Sequence, residues 1–544
     1  MSELKSIELF DSTLRDGTQG EGVNLSVEDK LHIAKRLDDF GISIIEGGWP
    51  GSNPRDQEFF QRSKSLKLKQ AKICAFGSTA RDLNNVEIDN NLQALLKAET
   101  EVVSIFGKTW RLHAEQGLGL TADENAELIK RSVAFLAGEG RRVIFDAEHF
   151  FDGYKDSSAF ALQMIKAAEA GGAETIVLCD TNGGAMPDEV AAAMQVVRSE
   201  ITLPIGIHAH NDSGMAAANT ITAVQHGATH VQGTMNGVGE RCGNANLSTV
   251  IPNLVLKLKR DLRHDLDLSQ MASVANYVFE IMNINPDDRA PYVGRSAFAH
   301  KGGIHVSAVM KNSRMYEHID PKTVGGRQRV LISDLSGKSN IHYKAGELDI
   351  SFTDGHSKLP GEVVDRIKKM EHSGYQFEAA EASFELILRE QMGSFKPFFE
   401  VIDSRVIVSY ERDSHNIADA MLKVAVNGDI EHTAADGVGP VNALNKALQK
   451  ALVRFYPELK NVHLTDYKVR VLNGRDGTSA GVRVLVESSD GVESWSTVGV
   501  SENIIEASWQ ALVDSLNYKL MKSEITNLHK QDKHAKQAKH NKGE

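Results

Sequence analysis

Cysteine is scarce in this sequence. The 544 residues include three, Cys74, Cys179 and Cys242; their wide spacing excludes a disulfide framework or a cysteine zinc finger and suits a reducing compartment. A basic surplus is missing too. With 61 Lys and Arg against 73 Asp and Glu, the formal charge is -12, which argues against nucleic acid or an anionic membrane surface as main partner and favours small molecules. No apolar run approaches the roughly 20 residues that span a bilayer, and "MSELKSIELF" enters a strand pattern with no apolar leader. A cytoplasmic location is expected. What is present is a globular composition, 41% hydrophobic and 25% charged, in a chain too long for one ordinary core.

From residue 6 to about 250, short β-branched runs alternate with longer amphipathic stretches. The strand candidates are "SIELFDST", "ISIIEGG", "AKICAFGS", "EVVSIFGK", "RVIFDAEH", "TIVLCDTN", "IGIHAHND" and "THVQGTMNG". Between them lie helical patterns: "SVEDKLHIAKRLDDFG" opens on Ser26 as an N-cap and closes on Gly41, and "PDEVAAAMQVVRS" starts with Pro187. Eight strand-then-helix units in this length predict a (β/α)8 TIM barrel over residues 1–275, rather than an open doubly wound sheet with its Gly-rich first turn. Residues 276–400 read as small helical linker subdomains that complete the site, and 401–525 as a separate α+β domain. The Lys-rich remainder, 526–544, lacks apolar periodicity and is expected to be disordered.

Catalytic groups of such a barrel lie where its strands end. Those positions carry Asp11, Arg15 and Asp16, then Glu46, Ser78, Lys108 and Glu148, then Asp180, Asn182, His208, His210, Asn236 and Glu240. In "HAH" the two histidines share a face because strand side chains alternate. H-x-H alone is a weak signal, and a hydrogen-bonded core pair is the common alternative. Asp16 at the same mouth changes the balance, because two imidazoles and a carboxylate leave open positions on a catalytic Mg, Mn or Zn ion. Arg15 beside that ion reads as a permanently charged fork for a developing oxyanion. Glu46 and Glu148 are readable as orienters of ligands, as a base, or as partners of Arg15 and Lys108.

These stretches carry a resemblance. "DSTLRDGTQGEG", "IIEGGWP", "HAHND" and "GTMNGVGERCGNANLSTV" resemble the DRE-type TIM-barrel metalloenzymes, which make or break a carbon–carbon bond with acyl-CoA partners. "AHKGGIHVSAV" and "DGVGPVNALNKAL" are similar to the 2-isopropylmalate synthase, homocitrate synthase and citramalate synthase branch with its regulatory LeuA-type dimer domain, and "IIEGGWPGSNPRD", "FGKTW" and "FDAEHFFDGY" to the longer (R)-citramalate synthases. The resemblance spans residue 6 to about 520.

It implies that Asp16, His208 and His210 ligate the metal with Asn244 nearby, that Arg15 binds the keto-acid oxygen, and that Glu46 completes the signature. Glu148 would help place substrates, with Asp16 and Thr181 as further substrate contacts. His305 would help deprotonate the acetyl-CoA methyl, although Ser307 stands where related synthases carry Asp. The implied reaction condenses acetyl-CoA with pyruvate and hydrolyses the thioester; 2-oxoisovalerate as acceptor, and a hydroxymethylglutaryl-CoA-lyase-like cleavage, are the alternatives. Phe76 and Phe106 are candidates to narrow the acceptor pocket, or ordinary packing. In the last domain the Gly-rich turn before a Pro-started helix, Asp436, Gly437, Gly439 and Pro440, can present N–H groups to a carboxylate; "NGRDGTSAG" is a second such turn. The resemblance implies a homodimer with isoleucine as effector. Lys108, His113 and His300 carry no assigned role.

Overall fold

The computed structural model describes residues 6–352, 358–409, 417–472 and 480–540. Two compact units divide it: Met1–Phe298 with Ile319–Gln328, and Ala299–His318 with Arg329–Glu544.

In the first unit eight parallel strands close into a barrel in sequence order: β1 (Glu8–Asp11), β2 (Ile44–Gly48), β3 (Lys72–Ser78), β4 (Val102–Lys108), β5 (Arg142–Glu148), β6 (Thr175–Asp180), β7 (Ile205–Ala209) and β8 (His230–Gly233). β1 closes on β8 with Glu8 opposite His230 and Phe10 opposite Gln232. The expected helix signals operate at Ser26, which forms a reciprocal capping box before the helix Val27–Phe40, and at Pro187, which opens the helix Pro187–Glu200; Thr121 forms a second capping box before the helix Ala122–Gly138. The main core lies between sheet and helices. A smaller apolar cluster of Phe10, Ile44, Cys74, Val102, Ile144, Val177 and Cys179 fills the barrel interior. Burial pushes the Cys74 and Cys179 thiols far up, so both act as inert packing.

At the N-terminal end of the barrel Glu8 is held by both Nη atoms of Arg142 (2.9 and 2.6 Å), by His230 Nδ1 (3.0 Å) and by Arg263. Burial alone would raise its pKa, but His230 and Arg142 outweigh burial and hold it well below the usual carboxylate range. Such a group stabilises the fold above its unfolded pKa and loses that contribution as pH falls through the folded one. Glu8→Gln is therefore expected to cost about 1.5–3 kcal/mol at neutral pH, because charge-assisted bonds from Arg142 and Arg263, both partly exposed, are lost. Denaturant unfolding across pH checks this: the gap between the variant and the parent should narrow in acid.

The second unit begins with the short parallel pair β9 (Ala299–His300) and β10 (Arg329–Val330) and a group of helices, Gly303–Lys311, Lys338–Glu347, Leu359–His372 and Glu381–Gln391. It ends in two copies of one pattern. Antiparallel β11 (Glu400–Ser409), β12 (Ile417–Val426) and β13 (Asp429–Gly437) lead into the helix Pro440–Leu452; β14 (His463–Val471), β15 (Val482–Ser489) and β16 (Ser494–Ser501) lead into the helix Ile504–His540. One correction follows. Residues 526–540, expected to be disordered, continue this helix, since Ala, Lys and Gln are good helix formers and no Gly or Pro interrupts them. The first compact unit extends past the helix Met271–Met282 to Phe298 and takes in Ile319–Gln328. Among the described residues no helix is long and apolar enough to cross a membrane.

Candidate active site

His208 lies on β7 and His210 directly follows it, so strand alternation turns both imidazoles into the barrel mouth. The loop after β8 then folds back over β1. A Cβ on Gly239 would lie 2.1 Å from Asn244 Nδ2, and Gly243, at φ +84°, would place one 1.9 Å from the Gly237 carbonyl, so only glycine allows this approach. It seats Asn244, whose Nδ2 donates to Asp16 Oδ1 at 2.8 Å.

Asp16, His208 and His210 converge. Their nearest atoms, Asp16 Oδ2 and the two Nε2 atoms, are 3.7, 3.8 and 3.3 Å apart, and all three residues are buried. Ligands about 2.1 Å from one divalent ion lie roughly 3.0–3.4 Å apart at octahedral or tetrahedral angles, so these atoms need to close by only tenths of an ångström to share one. Protonation suits an ion as well. Burial pushes His208 down to about 4 and His210 below its usual value, so both offer lone pairs at neutral pH. Burial raises the Asp16 pKa, but Arg15 and the two histidines outweigh it and keep the carboxylate charged. Asn244 Oδ1 is buried without a hydrogen-bond partner, a lone pair to spare for an ion. Two imidazoles, a carboxylate and an amide oxygen fit Mg, Mn or Zn with room for substrate. Among the described residues this is the one such cluster of His, Cys, Asp and Glu.

Arg15 is fixed beside it. Its Nε donates to Glu46 Oε2 at 2.7 Å, its Nη1 to Asp16 Oδ2 at 2.9 Å, and its guanidinium carbon lies 3.8 Å from the Phe76 ring centre. Ser12 Oγ donates to the same Glu46 oxygen. Glu46 is thus a partner of Arg15 in this structure.

The Phe76 and Phe106 rings stack at 5.5 Å, and Trp49 meets both edge-on at 5.6 and 5.8 Å. Both Phe candidates therefore face the Arg15 side of the mouth, joined by a Trp that sequence reasoning left unassigned. The visible signal was its place just past the Glu46 strand, in "IIEGGWP".

Comparison with known proteins agrees with this domain order. An HMGL-like family model matches residues 6–278, a homocitrate synthase post-HMGL domain-like model 292–374, and the LeuA allosteric (dimerisation) domain 378–520. The (R)-citramalate synthase of Geobacter sulfurreducens is 52% identical over 95% of this chain and 98% of its own length. That of Sulfolobus acidocaldarius is 44% identical over 96% and 99%. The chain belongs to the (R)-citramalate synthase family. The 2-isopropylmalate synthase of Methanocaldococcus jannaschii, 30% identical over 95% of each chain, is more distant.

The remaining candidates of this family member distribute as follows. Glu148, at the end of β5, is ion-paired with Lys108, whose Nζ lies 5.2 Å from the Phe106 ring, so both belong to the aromatic side of the mouth. Thr181 Oγ1 accepts from the His149 N–H at 2.8 Å and anchors that backbone. His113 packs against His149 at 4.3 Å between ring centres. His305 is exposed on the helix Gly303–Lys311 of the second unit, its ring 4.3 Å from that of Tyr316, and His300 Nε2 lies 3.0 Å from Glu317. Asp436 and Gly437 end β13, and Gly439 caps the helix that Pro440 begins. Most of "NGRDGTSAG", 473–479, falls outside the described residues.

Proposed function

We propose that this chain condenses acetyl-CoA with pyruvate and hydrolyses the thioester, releasing citramalate and CoA. The identity of 44–52% over nearly full length to (R)-citramalate synthases carries this reading, and the converging Asp16, His208 and His210 support it. Asp16, His208 and His210, with Asn244, would hold a divalent ion, and its charge would polarise the acceptor ketone when it is bound. Arg15, locked between Glu46 and Asp16, presents a second permanent charge to the same oxygen as it becomes an alkoxide. A base takes a methyl proton from acetyl-CoA, the carbon so exposed attacks the keto carbon, and water cleaves the thioester. His305 is the proposed proton acceptor, and Glu148 with Lys108 the pair that places the substrates. Trp49, Phe76 and Phe106 crowd the acceptor side chain and favour methyl over isopropyl. Asp436, Gly437, Gly439 and Pro440 would receive isoleucine as effector in a homodimer.

The test is CoA release from acetyl-CoA with pyruvate, 2-oxobutyrate, 2-oxoisovalerate or 2-oxoglutarate, with and without EDTA and with isoleucine or leucine added. Pyruvate is expected to exceed 2-oxoisovalerate in kcat/KM by at least about tenfold, the discrimination that even one methylene yields. EDTA should stop turnover, and isoleucine should inhibit more than leucine. Preference for 2-oxoisovalerate would overturn the acceptor assignment.

A further inference from the structure

TIM-barrel interiors are filled mainly by Val, Ile and Leu, yet this one holds a connected polar column. Glu8, Ser104, Asp146, His230 and Gln232 are buried, with Gln232 and Ser104 fully so. Polar groups in such a place are costly unless every member is paired. Here they pair end to end. Gln232 Nε2 donates to Asp146 Oδ1 at 3.0 Å and lies 3.4 Å from His230 Nε2; His230 Nδ1 lies 3.0 Å from Glu8 Oε2; Ser104 Oγ donates to Asp146 Oδ2 at 2.6 Å. At the upper end, Gln232 Oε1 lies 2.9 Å from His208 Nδ1.

The direction of every bond is set from the bottom. Glu8, paired with Arg142 and Arg263, can only accept, so His230 Nδ1 carries the proton and its Nε2 keeps a lone pair. An amide nitrogen only donates, which suits the two acceptors it faces, Asp146 Oδ1 and His230 Nε2. Its oxygen is thereby turned to His208 and must receive an N–H. His208 is left with the proton on Nδ1 and a lone pair on Nε2, the atom that faces Asp16 and His210.

We propose that Gln232 is a positioning residue that fixes the tautomer and ring orientation of His208 for metal binding, its own amide held in one sense by Asp146, His230 and Glu8. This rests on the metal site proposed above. Two-residue alternation along β8 places Gln232 on the same face as His230, and alternation along β5 places Asp146 on the same face as Glu148.

The test is Co(II) binding to chelator-stripped full-length protein, followed by visible absorption, with thermal melting as a folding control. Gln232→Leu, which fills the space but accepts nothing, is expected to weaken Co(II) binding about 10–100-fold, as loss of a metal ligand's outer partner does elsewhere. The double variant Asp146→Asn with Gln232→Glu reverses the intervening bond, because the amide introduced on β5 would donate to the carboxylate introduced on β8, and His230, held by Glu8, would take a second proton on Nε2 to donate to the same carboxylate, while an acceptor still faces His208 Nδ1. It is expected to bind within roughly threefold of the parent, since a carboxylate serves metal-bound histidines equally well. A folded Gln232→Leu protein with parental affinity overturns the proposal, and so does a double variant as weak as Gln232→Leu. If Gln232→Leu does not fold, Gln232→Met takes its place with the same two criteria. Failure of the parent to bind Co(II), or binding unaffected by His208→Ala, instead removes the metal site itself and the proposal with it.

Discussion

His208→Ala should lower CoA release by about 10³-fold or more while the protein remains folded, because a metal's charge on a polarised ketone contributes several kcal/mol to the transition state and each 1.36 kcal/mol is a factor of ten. The two halves of this result have different origins. On the catalytic side, the loss leaves Asp16 and His210 as an incomplete pair, and the ion's affinity falls with its ligand count. Added metal should then recover part of the rate, whereas it recovers none if the imidazole acts as a proton carrier. On the stability side, the histidine touches Gln232 and His210 but belongs to none of the apolar clusters. Its removal leaves one buried amide oxygen short of a donor, a cost of about 1–3 kcal/mol, against about 3–5 kcal/mol for emptying a core position such as Phe10. Steady-state turnover over a metal titration, with circular-dichroism melting in parallel, separates the two. Parental, EDTA-insensitive turnover in a folded variant would show that the H-x-H pair holds no catalytic ion, and unfolding comparable to Phe10→Ala would assign it to the core.

The barrel strands and the shared face of His208 and His210 were legible because they depend on local rules, whereas Asp16 joins them only through the rule that barrel strand ends meet at one mouth. Strand alternation turns His208 and His210 the same way whatever surrounds them, and capping at Ser26 and Pro187 marks helix starts without any tertiary information. What long-range approach decides was not legible. Glu46 had three open roles, and its 2.7 Å contact with Arg15 is visible only in the folded chain. Trp49 is brought to Phe76 and Phe106 by the closing of three strands, a meeting that no spacing encodes. Asp146 is an intermediate case. A charged residue in the middle of "RVIFDAEH", two before Glu148, pointed inward by the same alternation that identified the histidines, but its partners come from β4 and β8. The segment 526–540 is a different case: it has no apolar stripe, yet helix propensity suffices to extend a helix that packing has already nucleated.

Arg15→Lys should cost about 10²–10³ in kcat, as loss of a fixed oxyanion donor does, although the positive charge is retained. The guanidinium satisfies three constraints at once: Nε to Glu46, Nη1 to Asp16, and a flat face 3.8 Å above Phe76. An ammonium is a point charge on a flexible stem and cannot hold a carboxylate on each side while stacking on a ring. The substituted side chain would swing towards one of the two acids. If it takes Asp16, metal affinity falls with the rate; if it takes Glu46, affinity holds and only kcat suffers. Measuring Co(II) affinity beside kcat and KM for pyruvate therefore shows which partner is lost. Glu46→Gln supplies the control, since its amide oxygen can still accept from Nε; a decline of about tenfold is expected for the weakened, neutral bond. If Arg15→Lys keeps kcat within about threefold of the parent, charge alone suffices, and the fork held by Glu46 and Asp16 serves the loop's structure rather than the developing alkoxide.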